Sequence, residues 1–407
     1  MKTIRMSAGL LAAVWLLLAF FPAGACAETK KEGPGITVYF PNWNIYSDSR
    51  NDVDSLPWDR LDSVNHAFWK VVPRDGGFAV ESTDPWADTD PANPAAHFPR
   101  YAACAEKYPG RQILLSIGGW TDSGRFSEMA LTAESRGSFI RSCLETLEAW
   151  PFLSGLDIDW EYPGAPREPE DENDEGNPVL GDDRTHYTLL LKELREALDE
   201  RFGQGNKTLT VCAGASVAHA LCRQDYAALH PWVDRINLMT YDLAGPWDGK
   251  TGHQAALLGD VSADTAVKYL LAQGVPAEKI AIGSPLYSQG WRMKEPVRDP
   301  VGAAAEGIPQ LTWRELLPLE QAAVAEGVPG WHAGYDKEKE AAWLWNDDPA
   351  SPAYLTFHSY DSAASLDAKL AYVLEHGLGG LIVWEVHGDS AENGWPMITR
   401  MRRGLRP

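Results

Sequence analysis

Asp157, Asp159 and Glu161 stand at alternate positions in the stretch FLSGLDIDWEYPG that fills residues 152–164. On a β-strand alternate side chains share a face, so the three carboxylates point the same way, roughly 6–7 Å apart per step. Ile158 and Trp160 take the other face. Three like charges on one buried face are costly to keep ionised. Their proximity raises at least one carboxyl pKa, so that a proton is held near neutral pH for general-acid work. A metal-binding trio and a satisfied structural network are the competing readings. The position at a strand end, before a Pro-Gly turn, favours catalysis.

Five further stretches carry aromatic or polar residues at strand ends: Leu115-Ser-Ile-Gly118-Gly119-Trp120, Asn237-Leu-Met239-Thr-Tyr241-Asp242, Leu381-Ile-Val-Trp384-Glu385, and the first two apolar runs with Tyr39 and Phe68. Glycines such as Gly118 and Gly119 at a strand end let a ligand or another backbone approach closely. Taken singly, Tyr241 and Asp242 also fit a buried tyrosine and a helix-capping acid, and Trp384 fits a core residue.

Taken together these stretches resemble the family 18 glycoside hydrolases, the chitinases. The family pattern is Asp-x-x-Asp-x-Asp-x-Glu, and residues 154–161 here read SGLDIDWE. The resemblance runs from about Gly35 to the C-terminus and implies no metal or organic cofactor. It assigns Glu161 as acid and then base, with Asp159 orienting the substrate's acetamido group. Asp157 would share a proton with Asp159, and Tyr241 would hold the acetamido oxygen against the anomeric carbon. Asp242, Met239, Trp384, Tyr162, Gly118, Gly119, Trp120, Thr121, Tyr39 and Phe68 are the implied substrate-binding residues. The implied reaction is hydrolysis of β-1,4-linked N-acetylglucosamine polymers with retention. The substrate's acetamido oxygen replaces the second carboxylate of ordinary retaining glycosidases.

Two positions depart from the family. Ser154 stands where the first Asp of the pattern is usual, which should alter the pKa coupling without abolishing activity. Gln289 stands where the family often has Arg after the seventh strand, and it lacks the charged forked donor. Arg292 is the expected compensating cation. Rival functions are cleavage of peptidoglycan or of glycoprotein chitobiose cores, a two-carboxylate glycosidase with Glu385 as nucleophile, and a chitin-binding lectin. The intact Glu161 weighs against the lectin.

The elements that position these residues are legible from the apolar runs. Candidate strands are 36–40, 63–68, 112–117, 153–160, 209–213, 235–240, 279–283 and 380–385. Amphipathic stretches separate most of them; in 185–201, Tyr187, Leu190, Leu191, Leu194 and Leu198 recur at helical spacing. Strands alternating with helices predict an α/β fold, a (β/α)8 TIM barrel, occupying residues 34–405. In such a barrel the active site lies at the C-terminal strand ends. The long interval after the seventh strand predicts a small α+β insertion over 292–356, closed by strands at 334–336 and 341–345. Residues 166–183, rich in Glu, Asp and Pro, read as a solvated loop. Asp171, Asn173, Glu175, Gly176 and Asp182 there approach calcium-loop spacing, but Pro178 intrudes.

The 407-residue chain carries a formal net charge of −21. That argues against nucleic acid or an anionic membrane as partner and suits a neutral polysaccharide or oligosaccharide. Its 17 Trp supply flat faces for stacking. Lys2 and Arg5, the apolar run 10–21 and the small residues before Glu28 read as a secretory signal peptide over 1–27. Lipid anchoring through Cys26 is the disfavoured variant, because Ala23 is a poor lipobox residue. The expected product is a secreted monomer. Export permits disulfides, and Cys104–Cys143 and Cys212–Cys222 are the expected pairs.

Overall fold

The structure, a computed structural model, describes residues 33–47, 52–325 and 330–406. The leader and Cys26 lie outside the described residues. The strands in chain order are β1 (Gly35–Pro41), β2 (Ser63–Arg74), β3 (Gly77–Ser82), β4 (Gln112–Gly118), β5 (Gly155–Asp159), β6 (Thr208–Gly214) and β7 (Arg235–Met239). There follow β8 (Ile280–Pro285), β9 (Gln289–Met293), β10 (Ala305–Ile308), β11 (Trp331–Asp336), β12 (Ala341–Asn346), β13 (Thr356–Tyr360) and β14 (Gly380–Trp384).

Strands β1, β14, β8, β7, β6, β5, β4 and β2 neighbour one another in that order, all parallel, and pairing of β1 with β2 closes the ring. This is the (β/α)8 barrel, with its strands near-continuously apolar because both faces are covered. In β5, Leu156 and Ile158 face outward into the large core shared with the helices. Asp157 and Asp159 face inward. The barrel interior near its C-terminal end is a separate cluster of Tyr39, Ala67, Phe68, Cys212, Met239, Ala281 and Ile382, with Tyr162, Tyr241 and Trp384 packed against it.

Helices brace the acidic strand from outside. The helix Asp183–Phe202 buries Tyr187, Leu190, Leu191, Leu194 and Leu198, and Asp182 caps it by accepting the Thr185 amide at 3.3 Å. Such a cap is worth about 1 kcal/mol. Thr132 and Ser135 form a capping box on the helix Ala133–Ala149. Asp182 is thus an N-cap, and the carboxylate of Glu175 is 3.2 Å from Lys70 Nζ. Two of the acids near calcium-loop spacing, Glu175 and Asp182, therefore have other partners.

Three elements differ from the sequence reading. The second strand runs on to Arg74 and turns back as β3, pairing antiparallel after a register shift between His66 and Trp69. Residues 331–336 and 341–346 form an edge hairpin, and it is β13 that returns the chain to the barrel. The second sheet, ordered β10-β9-β13-β12-β11 and antiparallel throughout, starts at Gln289 and ends at Tyr360 because β9 and β13 pair with each other.

The expected disulfides are not formed; Cys104, Cys143, Cys212 and Cys222 are free thiols. Cys212 faces the barrel interior on β6, its Sγ 3.0 Å from the Tyr39 hydroxyl, whereas Cys222 sits exposed on a short turn. Cys104 points at Asp54, 3.7 Å away, and burial raises the thiols of Cys104 and Cys143. Titration in denaturant without reductant should therefore count these as four thiols. Loss of two or more from that count would reinstate a bridge.

Candidate active site

The inward face of β5 delivers Asp157 to the middle of the barrel. Its Oδ2 accepts from the Tyr39 hydroxyl at 2.9 Å and Ser116 at 2.8 Å, and its Oδ1 from Thr210 at 2.5 Å and Asn237 at 2.9 Å. The Cys212 thiol lies 3.6 Å from Oδ2. Four barrel strands besides β5 thus supply donors, which is how a carboxylate is satisfied in a buried site. No hydrogen bond joins Asp157 to Asp159 among the described residues, so the resting geometry does not contain the shared proton that the resemblance implies.

Asp159 is the unsatisfied member. It is buried, and its Oδ1 has no hydrogen-bond partner. Burial, then the charges of Glu161 and Asp157, push its carboxyl well above the usual aspartate range. Asp159 is therefore biased toward its protonated form and keeps one oxygen free. Desolvation is the largest cause, offset only in part by a hydrogen bond from Cys212.

Glu161 follows β5 at the cleft wall. The Ser123 hydroxyl accepts its backbone N–H at 2.9 Å, and the Tyr162 side chain is hydrogen-bonded to its carboxylate. Burial raises it to about 7, against hydrogen bonding from Tyr162. A carboxylic acid that keeps its proton to neutral pH and meets solvent is a general acid in waiting. Because the protonated form is the active one, kcat/KM should fall as pH rises through about 7. Initial rates across that window check this, and an alkaline limb centred at the ordinary glutamate value of 4.5 would contradict it.

The glycine turn after β4 makes room for the end of β5 and for the Phe68 ring. Gly118 and Gly119 have φ of +111° and +90°, and a Cβ on Gly118 would lie 2.2 Å from the Asp159 carbonyl oxygen. A Cβ on Gly119 would meet the Phe68 ring at 2.8 Å. Only glycine fits both conformation and space. Trp120, next in the turn, is 40% exposed and meets Tyr162 edge-on at 6.4 Å. Thr121 is turned elsewhere: its hydroxyl donates to Asp122 and its carbonyl accepts the Glu175 amide.

Aromatic rings line the barrel mouth. Phe68 stacks on Trp384 at 5.6 Å and 20°, and Tyr39 and Trp43 tilt against Trp384 at 5.7 and 6.3 Å. Met239 and Tyr241 complete the same cluster. The peptide bonds Ala67–Phe68, Glu161–Tyr162 and Trp384–Glu385, all at this rim, are cis.

Beyond β7, Asp242 accepts from Tyr287 Oη at 2.7 Å and from Gln289 Nε2 at 2.6 Å. Gln289 therefore touches the site through Asp242. The expected compensation by Arg292 is not found. Three positions along β9 its side chain takes the opposite face, and Nη1 donates to the Tyr354 carbonyl at 2.6 Å. Ser154, the other departure, accepts the Ile113 amide at 3.2 Å at the opposite, N-terminal end of the strand. The sequence reading also omitted Ser116, Ser123, Thr210, Asn237 and Tyr287. Ser116, Thr210 and Asn237 each stand two residues before an inward-facing position, the signal that finds them.

Glu385 is tied down. Its Oε2 accepts from Asn44 at 3.2 Å and from the His387 amide at 3.0 Å, capping the turn 386–388. This oxygen is thus committed to the barrel wall rather than to the cleft. One further group, His66, Asp88 and His97, has metal-ligand spacing among the described residues. Asp88 spends its oxygens on His66 at 2.7 Å, Trp69 Nε1 at 2.8 Å and Ser82 at 2.5 Å, and so reads as a hydrogen-bond hub fixing the β2–β3 hairpin.

The family described as glycosyl hydrolases family 18 matches residues 35–389, nearly the whole barrel and the second sheet. The chain belongs to glycosyl hydrolase family 18. Among curated relatives of this family 18 chain, Chitinase A1 of Niallia circulans is 29% identical over 95% of this chain and 61% of its own length. Chitinase A of Pseudoalteromonas piscicida is 28% identical over 87% of this chain and 51% of its own. The chain thus spans between half and two thirds of the length of these two. Chitinase 1 of Aphanocladium album is 28% identical over 99% of this chain and 93% of its own. Among solved structures, the Group IV chitinase of Ostrinia furnacalis superposes with a TM-score of 0.78 at 25% identity, covering 92% of this chain and all of that one.

Proposed function

We propose that this family 18 chain is a secreted chitinase that cleaves β-1,4-linked N-acetylglucosamine polymers by a substrate-assisted, retaining route. The observation that carries the reading is the division of labour among the carboxyls. Glu161, just after the acid strand, combines a carboxyl raised to about 7 with access to the cleft, whereas Asp242 is committed to Tyr287 and Gln289. Asp157 is filled with donors and Oε2 of Glu385 is held by the wall, which argues against either as a nucleophile. An N-acetyl group on the substrate supplies what is missing.

In this mechanism Glu161 donates its proton to the glycosidic oxygen as the bond to the anomeric carbon breaks. The acetamido oxygen attacks that carbon and forms an oxazolinium ring. Asp159 passes its proton to the Asp157 carboxylate as positive charge develops, and its free oxygen then takes the acetamido N–H. Tyr241 and Asp242, side by side after β7, orient the group. Water, deprotonated by the Glu161 carboxylate, opens the ring and restores the starting anomer. The aromatic rings around Trp384 stack on the sugar faces. The leader supports export, and the names of the relatives support a chitin-like substrate.

The mature chain should release short N-acetylated products from chitohexaose and leave its fully de-N-acetylated counterpart intact. Cleavage of both at similar rates would defeat the substrate-assisted route. Binding without cleavage would turn the assignment toward a lectin.

A further inference from the structure

The acidic loop 166–183 is not a freely solvated excursion. Arg167 pairs backbone to backbone with Asn177, and the Glu175 amide donates to the Thr121 carbonyl at 2.8 Å. At its centre the Arg167 guanidinium lies 4.0 Å over the Trp120 ring and donates to the Trp120 carbonyl. The same guanidinium grips both oxygens of Asp174, whose carboxylate also accepts the amides of Glu170 and Gly176 at 2.8 Å each. These donors hold Asp174 down at about 2, so it stays charged at any working pH. A bidentate arginine–carboxylate pair is geometrically specific. One face of the Trp120 indole is thereby covered by a fixed cation, its edge meets Tyr162, and what remains is exposed.

We propose that Arg167 is a positioning residue that sets the Trp120 ring as a rigid sugar platform, making the loop 166–183 a specificity wall for longer oligosaccharides. This rests on the chitin-oligomer reading above. An indole pinned on one face and one edge loses little rotamer freedom when a sugar stacks on the other face, so more of the stacking energy appears as affinity. A charge over the ring also adds its own attraction to that pinning. Arg167 reaches the reaction in a second way, because its charge opposes the burial that raises Glu161.

The test is a double-mutant cycle on chitohexaose binding in the full chain carrying Glu161→Gln, which blocks turnover. Arg167→Met is expected to weaken binding about tenfold, Trp120→Ala by at least as much, and the double variant no more than Trp120→Ala alone. With Glu161 intact, Arg167→Met should raise KM for chitohexaose more than it lowers kcat, and Arg167→Lys should restore only part of the loss. Affinity unchanged in Arg167→Met, or losses that simply add in the double variant, would overturn the proposal while leaving the chitinase reading standing. Failure of the Glu161→Gln chain to bind chitohexaose at all would remove both. Should Arg167→Met lose its circular dichroism, the same cycle is read with Arg167→Lys, where additive losses again overturn it.

Discussion

Replacing Glu161 by glutamine is expected to lower the turnover of chitohexaose by about three orders of magnitude while oligosaccharide binding stays within a few-fold. The amide keeps the shape and the contact with Tyr162 but has no proton to give to the leaving oxygen. Both halves of the reaction pass through this one group, so no other residue shares the loss. More than a tenth of the parental rate in the variant would dismiss Glu161 as the acid. The same substitution has a signature in stability. The folded chain holds the Glu161 proton to about pH 7, and the unfolded chain releases it near the ordinary value of 4.5. Between those values the folded state binds more protons, so its stability falls as pH rises. Glutamine removes that penalty. The variant should melt higher than the parent at alkaline pH, by about 1–2 kcal/mol after allowing for partial exposure, and lose the advantage in acid. Thermal unfolding at the two ends of the window measures it.

Asp159→Asn is expected to cost about 100- to 1,000-fold in kcat with little change in KM. Asparagine is neutral, the form toward which burial biases Asp159, so the ground state is little disturbed. It cannot become an anion as the oxazolinium charge develops, and that stabilisation exists only in the transition state. A variant within threefold of the parent would show that Asp159 is merely a buried space-filler. Equal rises in KM and falls in kcat would assign it to binding instead.

The barrel was legible because most of its strands are buried on both faces and so read as largely apolar runs between amphipathic helices. The acid strand was legible for a different reason: only period two puts Asp157, Asp159 and Glu161 on one face. What escaped depends on pairings distant in the chain. The contact of Gln289 with Asp242, and the turning away of Arg292, follow from the register of β9 against β13, 62 residues separating Arg292 from its partner Tyr354. The docking of the acidic loop hangs on Arg167 and Asp174 finding Trp120, 47 residues back from Arg167. Composition alone made that loop look solvated. Cysteine parity failed similarly, since an even number of thiols in an exported chain says nothing about which face of β6 Cys212 occupies.

The account stands most directly on the anomeric form of the first products. Proton NMR of chitohexaose in the opening minutes of cleavage, before mutarotation, reads it. A β-anomer at the new reducing end is the predicted result, since two inversions through the acetamido group return the starting configuration. An α-anomer would mean direct attack by water with a second carboxylate as base, and would contradict the claim that Glu161 works with the substrate's own acetamido group.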